Sequence, residues 1–533
     1  LEGPLVADKL SLIAGARLSN VNWILRKADN KDVRGSNVRF YDLYTGLSAR
    51  VGLQHAVSAN FLHTGDYFKF SDRFGYKWAS NVASVQSKST VTEKLSAYTL
   101  IARGEFTNSF FDPSGADAAT ITNGIRYTQG KFTMLYTPEK HAITAGGEIV
   151  YYNSSPERVR PYGGSPVLPE NVTKEKGVEY AFFAEDEWTA SESVSLSFGL
   201  RASFFHQLGP DSIYLYEPGA AKSEHTIVDR VYRTGSIATY QGLEPRFSAR
   251  VNLSAVQSIK FSYSRLLQYL HTISNTLAPT PIDLWQVSTT YLRPQVSQMF
   301  SAGYFHNFKN ETWTSSLEFF FKPSRDQVEY VDFAQLFLNP HIETELLQGE
   351  GRSYGAELFV KKNIGDWTGW LSYTYSRSLV RIDGPTHAER VNDGRWFPSN
   401  HDRPHVTSLV LHRKFYPRGA FNVSFTHSTG RPVSAVISNY VVNGVSVPNY
   451  SYRNEYRIPN YFRIDVSILV GNVFNKADDS LTIGVYNLLS RRNAYSVFFK
   501  KGEDSFIMVP YKLSVLGTMF PSVTYTLSLT KTK

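Results

Sequence analysis

Period-two alternation of apolar and polar residues recurs from one end of this 533-residue chain to the other and limits what it can fold into. In Ser193–Phe205 the apolar residues Val194, Leu196, Phe198, Leu200, Ala202 and Phe204 alternate with Ser195, Ser197, Gly199, Arg201 and Ser203. Phe462, Ile464, Val466, Ile468 and Val470 alternate with Arg463, Asp465 and Ser467. The same rhythm runs through Trp313, Leu317, Phe319 and Phe321, and opens the chain at Leu10, Leu12, Ala14, Ala16 and Leu18. Successive side chains of a strand point to opposite faces, so each segment presents one apolar and one polar face.

A soluble sandwich gives the same alternation, and three further features separate the two. Many segments run roughly 10–18 residues, against about 5–6 in soluble domains and about 9–11 needed to cross a bilayer at a tilt. Arg, Lys, Asp and Glu stand in the middle of the polar face, which suits a wet lumen and is prohibitive in a dry core. Aromatic residues gather near strand ends, as at Trp188, Trp313, Phe415–Tyr416 and Tyr151–Tyr152, the positions of interfacial girdles.

The connections alternate between short and long. Gly52–Ala56, Thr137–Lys140, Ala190–Ser193, Asn307–Glu311, Asn363–Asp366 and Tyr416–Gly419 are short. Asn153–Lys176, Gly209–Gln241, Thr272–Tyr291, Asp332–Gly351, Asp383–Arg403 and Gly430–Pro459 are long. Outer-membrane barrels have this asymmetry, with tight periplasmic turns and long outer loops. No apolar run reaches the ~18–20 residues of a membrane helix, so crossing by strands is the alternative. Unpaired edges in hydrocarbon are costly, and the sheet is expected to close. The expected fold is all-β: a large antiparallel transmembrane barrel occupying residues 1–533, with about twenty strands from Lys9–Ser19 to Lys512–Leu529. A barrel that wide needs a plug or is an open channel. Its outer face implies outer-membrane lipid as a partner.

Composition excludes other classes. Cysteine is absent, which rules out disulfide scaffolds and thiolate metal sites. The net charge of +9 is spread one residue at a time without a Lys/Arg-dense segment, so no nucleic-acid partner is expected. No Walker A loop, Gly-x-Ser-x-Gly elbow or His-Glu-x-x-His is present, and the chain is not expected to be an enzyme or to hold a cofactor. Gly349, Gly351 and Gly355 have the wrong spacing for a dinucleotide loop. His401, Asp402 and His405 could be read as metal ligands, but Pro404 breaks regular strand geometry between them, and a structural turn is the favoured reading. Neither catalytic nor metal sites are therefore expected. Tyr450, Tyr452, Arg453 and Tyr456, in the loop Gly430–Pro459, are the candidate ligand contacts, since rings stack and guanidinium pairs with carboxylate or catecholate. A loop packing on itself would use the same residues.

The string Tyr486-Asn487-Leu488-Leu489-Ser490-Arg491-Arg492-Asn493, following Asp465 and Leu481, resembles the penultimate strand of TonB-dependent receptors of the Bacteroidota type. Tyr354-Gly355-Ala356-Glu357-Leu358, Trp370–Arg377, Asp283-Leu284-Trp285 with Arg293-Pro294-Gln295, and Leu1–Leu5 with Arg17-Leu18-Ser19 are similar to other parts of that barrel, in the same order. The resemblance implies energised uptake of a scarce nutrient across the outer membrane. Its implied partners are TonB, engaged through an N-terminal segment, a plug domain and a surface lipoprotein. It also implies that the plug and roughly the first two of 22 strands are missing here, because Glu2-Gly3-Pro4 matches the end of a second strand. The polar ending Thr530–Lys533 departs from the family's terminal aromatic. A passive wide channel, or a structural barrel of an outer-membrane complex, is the alternative.

Overall fold

The computed structural model describes residues 1–27, 29–115, 117–274, 283–308, 310–415, 418–443, 445–473, 478–501, 508–514 and 517–528. Thr530–Lys533 and Tyr416 of the Tyr416–Gly419 turn lie outside them. The wall is a meander of long strands: β1 (Glu2–Val6), β2 (Leu10–Asn20), β3 (Asn37–Val51), β4 (His55–Phe70), β5 (Phe74–Thr92), β6 (Leu95–Asp112) and β7 (Ala119–Tyr136). It continues through β8 (His141–Pro161), β9 (Glu175–Thr189), β10 (Val194–Leu208), β11 (Ser236–Ser254), β12 (Gln257–Gln268), β13 (Gln295–Phe308) and β14 (Trp313–Tyr330). The remainder is β15 (Leu346–Lys362), β16 (Trp367–Arg381), β17 (His405–Phe415), β18 (Gly419–Ser428), β19 (Tyr461–Gly471), β20 (Asp478–Tyr486) and β21 (Phe520–Ser528). Each pairs antiparallel with its sequence neighbours in one 23-stranded sheet, which also takes in the two-residue pieces Glu170–Asn171 and Phe397–Pro398.

The alternation sorts the two faces as expected. On β10, Phe198 and Leu200 are each 48% exposed, whereas Ser203 and Phe205 on the opposite parity are wholly buried. Arg201 shares that inner parity and stands directly opposite Glu244 of β11. It also reaches Glu148 and Glu179, each at 2.7 Å. On β19, Ile468 and Val470 are exposed, and Val466 and Ile464 continue their stripe beside Val423 and Phe425 of β18. Asp465 and Arg463 hold the other face and pair at 3.0 Å. Trp188 at the end of β9 stacks on His141 with centroids 5.9 Å apart, an aromatic band at a strand end.

Connections at one rim are short throughout, as at residues 137–140, 190–193 and 363–366. Nearly all connections at the other rim are long, the three-residue link 71–73 being an exception. Gly52 takes φ 71° in one short-rim turn, a left-handed conformation that favours glycine. One strand boundary differs from the sequence reading. Lys512–Leu529 is not one strand: Met508–Leu513 pairs with Ser496–Lys501 in a separate hairpin, and the wall strand is Phe520–Ser528. Alternation cannot separate a wall strand from a hairpin of the same period standing above it. Gly349, Gly351 and Gly355 lie inside β15, in ladder positions and not in a phosphate loop.

Candidate functional site

The long connections fold back over the mouth and bond to the wall and to one another. After β12, the chain turns inward at Tyr269, whose ring stacks on Phe205 at 5.1 Å and whose hydroxyl meets Ser203 Oγ at 2.9 Å. A short inner hairpin follows, Leu270–Ile273 paired with Leu284–Val287. It is held from a wall strand four places back in the sheet: Ser154 Oγ of β8 donates to the Trp285 carbonyl. Glu175 of β9 accepts from Val287 N at 3.1 Å and from Gln286 Nε2 at 3.0 Å. His271 is buried beside Ser288 Oγ at 3.1 Å, and burial brings its pKa down to about 4. The loop 331–345 packs Ala334 and Leu336 on Ile273, Leu284 and Leu292, and its Leu338 N donates to Glu157 of β8. Apolar burial and hydrogen bonds thus join loops to wall strands over 100 residues away in sequence.

A second set of ties joins the loop 429–460 to the loop 382–404. Arg453 is 8% exposed, and its Nη1 donates to Glu329 Oε2 at 2.9 Å and to the Tyr330 carbonyl at 2.7 Å. Its Nη2 pairs with Asp332, and the guanidinium lies 4.7 Å over the Tyr330 ring. The Arg453 backbone exchanges two hydrogen bonds with the Asn392 side chain, at 2.8 and 3.0 Å. Asn454 Nδ2 donates to Pro398 O and Asn400 Oδ1. Asp402, whose side chain is fully buried, accepts from Ser378 N at 2.6 Å and pairs with Arg377 and Arg457.

These contacts place the residues singled out in the sequence. Arg453 is engaged in the lid. Tyr450, Tyr452 and Tyr456 keep half-exposed rings: Tyr450 meets Phe333 edge-on at 5.6 Å, and Tyr452 donates to Asp393 at 3.2 Å. Asp402 is the anchor of a turn, its N bonded to Ser399 O at 3.0 Å, while His405 meets Tyr373 OH at 2.9 Å. Among the described residues no cluster of three or more His, Asp or Glu side chains is arranged to hold a metal ion.

Beneath this second set lies a cavity of about 900 Å³, bordered by Tyr330, Asn400, His401, Arg403, Arg431, Tyr461, Tyr486 and Tyr495. A smaller one of about 200 Å³ lies between the inner hairpin and the outer hairpin Asp211–Tyr216/Ile227–Arg233. There Tyr291 donates to the Tyr214 carbonyl at 2.5 Å and Tyr216 to Glu343 at 2.7 Å. Burial raises the Tyr291 pKa and, more strongly with the help of Glu343, that of Tyr216. Arg403 and Arg431 were not singled out in sequence, where both read as isolated basic residues. Polar and aromatic groups facing a cavity can hold a solute by hydrogen bonds, stacking and charge without covalent chemistry.

Three solved structures share this architecture. The ferric-catecholate import receptor Fiu of E. coli K12 has a TM-score of 0.64 at 11% identity, over 98% of this chain and 78% of that one. The ferripyoverdine receptor of the Pseudomonas aeruginosa outer membrane gives 0.63 at 11%, over 98% and 69%. The copper transporter OprC gives 0.64 at 10%, over 97% and 76%. No curated protein matches the sequence. The family model described as "TonB dependent receptor-like, beta-barrel" matches residues 14–488, from within β2 to just past β20. On that match across most of its wall, the chain belongs to the TonB-dependent receptor β-barrel family, of the bacterial outer membrane.

Proposed function

We propose that this barrel takes part in TonB-dependent active uptake of a scarce extracellular nutrient, as a receptor of the Bacteroidota type. The observation that carries the reading is the lid: outer-rim loops joined across the mouth above a polar, tyrosine-lined cavity of about 900 Å³. A passive channel gains nothing from loops tied over a polar cavity, whereas a receptor must capture its ligand before moving it. The fold's neighbours include a ferric-catecholate import receptor and a copper transporter. Tyr450, Tyr452 and Tyr456 offer half-exposed rings for first contact, and Arg453 acts with them by fixing the loop that carries them. TonB, a plug and a surface lipoprotein are the partners in this reading. Among the described residues β1 pairs only with β2 and β21 only with β20. Open edges are costly in lipid, which supports a pairing partner for those two edges in the working receptor.

Competitive growth on a panel of limiting nutrients tests the proposal. Cells lacking this barrel and cells lacking the inner-membrane coupling partner should share one nutrient-specific defect. A defect seen only without the barrel would favour the passive channel. Surface proteolysis should cut within 436–450 and spare 363–366.

A further inference from the structure

A β-bulge in the wall turns two arginines outward. On β6, β7 and β8 the exposed Ile101, Phe132 and Ile149 share one face in the register and mark the lipid side, while Ala102, Ile125 and Val150 are buried on the other. Along β8 the even-numbered Tyr152 and Ser154 lie on the inner face, where Ser154 meets the Trp285 carbonyl. The register then slips: Ser155 stands opposite Gly124 but Arg158 opposite Thr122, so β8 carries one residue more than β7. Beyond the slip Glu157 and Val159 are the buried residues, with Glu157 bonded to Leu338 N, and Arg158 and Arg160 are exposed on the lipid side. A bulge re-aims the side chains that follow it. Without the extra residue, the even parity of β8 would carry both guanidiniums inward.

Their height follows from strand length. Leu95 opens β6 and Tyr136 closes β7 at the short rim, and Glu105 and Arg126, directly opposite one another, each lie ten residues from those ends. About 9–11 residues of tilted strand cross the hydrocarbon. Arg158 and Arg160 lie 17 and 19 residues beyond His141, where β8 begins, and so stand above the apolar band on the long-loop, outer side. Arg126, Arg158, Arg160 and Lys174 border one groove of about 710 Å³. Lys174 is brought there by the piece Glu170–Asn171, which pairs with Arg158 and Val159, and by Val172 N, which donates to Glu157 O at 3.0 Å. Of the two acids bordering the groove, Glu105 pairs with Arg126 at 2.6 Å and Glu157 turns inward to Leu338. Among the described residues Arg158, Arg160 and Lys174 form no ion pair within 4.0 Å. Below them the lipid-side stripe of β8 continues as the exposed Tyr151 and Ile149.

We propose that this groove seats the phosphate headgroup of an anionic lipid in the outer leaflet. Guanidinium forks match phosphate oxygens in paired hydrogen bonds, and basic groups at the membrane surface attract anionic headgroups. A lipid fits better than a free phosphate because its acyl chains can lie on Tyr151 and Ile149 while its headgroup meets Arg158, Arg160 and Lys174. The inference rests on the placement of the barrel in the membrane and holds whatever the barrel imports. Native mass spectrometry of the purified full chain in detergent tests it, with phosphatidylglycerol, phosphatidylcholine and inorganic phosphate as probes. Phosphatidylglycerol should be retained in preference to both others. Arg158→Gln with Arg160→Gln should weaken its retention about thirtyfold. Lys140→Gln, at the short rim, should leave it unchanged. Arg158→Lys with Arg160→Lys keeps the charge without the forks and should fall in between, which covers the case of a misfolded glutamine variant. Equal retention by the native chain and both double variants, equal retention of phosphatidylcholine, or loss on Lys140→Gln as large as on the double variant overturns the site. Inorganic phosphate held as tightly as phosphatidylglycerol, with the same dependence on the arginines, overturns its assignment to a lipid.

Discussion

Arg453→Met tests whether the lid is held by a buried ion pair. In the native chain the guanidinium is 8% exposed and Glu329 9%, so removing the arginine strands a carboxylate away from water. Losing one partner of a buried pair costs about 3–5 kcal/mol. The bond to Asp332 adds little, because that side chain is 65% exposed and such pairs contribute at most about 1 kcal/mol. Methionine keeps some of the packing over Tyr330, which places the expected loss at the lower end, about 3 kcal/mol, or roughly a hundredfold in the opening equilibrium. Hydrogen exchange on the purified full chain reads that equilibrium segment by segment. Protection should fall in 429–460 and 382–404 and stay unchanged in β5–β7, on another part of the wall. Adding Glu329→Gln removes the stranded charge and should restore most of the protection. Unchanged exchange in both loops of Arg453→Met, or a double variant no better than the single, would refute the reasoning.

Three other outcomes are expected. His271 is held down to about 4 from an ordinary value near 6.5, so its neutral form contributes fully above pH 6.5. That contribution, about 3 kcal/mol, should be lost as pH falls from 6.5 towards 4. Exchange of 270–273 and 284–287, corrected for intrinsic rates, should rise over that window and stay flat in His271→Gln. Leu200→Arg places a charge on the lipid face and should destabilise the wall by about 2–4 kcal/mol if near the midplane, while Ser197→Arg should be tolerated; urea unfolding in lipid vesicles distinguishes them. Gly430→Ala must displace the Ile458 carbonyl, since its Cβ would lie 1.6 Å from that oxygen, and should increase proteolysis within 429–460.

The wall was legible because its physics is local. One period-two stripe fixes a face for Val194–Phe204 or Phe462–Val470, and the neighbouring strand repeats it. The lid was not legible, because its partners are remote. Arg453 meets Glu329 across 124 residues and Trp285 meets Ser154 across 131, and neither pair leaves a trace in local spacing. Asp402 was rightly read as part of a turn, since Pro404 constrains that segment, but its two arginine partners were invisible. The hairpin Ser496–Lys501/Met508–Leu513 was merged with β21 because period alone does not report height above the membrane. Arg403 and Arg431 stand 28 positions apart and border one cavity, the carbonyls before them both bonded to Arg457.

The length of those lid contacts bears on the order in which the molecule assembles. At the short rim a wall strand finds its partner a few residues away across a tight turn, while Leu338 must find Glu157 across 181 residues. Closing so long a loop in a free chain carries an entropic cost that grows with its length. Once the intervening strands are in register, most of that cost has already been met, and only the loop tips remain to be placed. Lid closure should therefore follow wall formation and be the first step to reverse, so the mouth can open and close while the wall keeps every ladder intact.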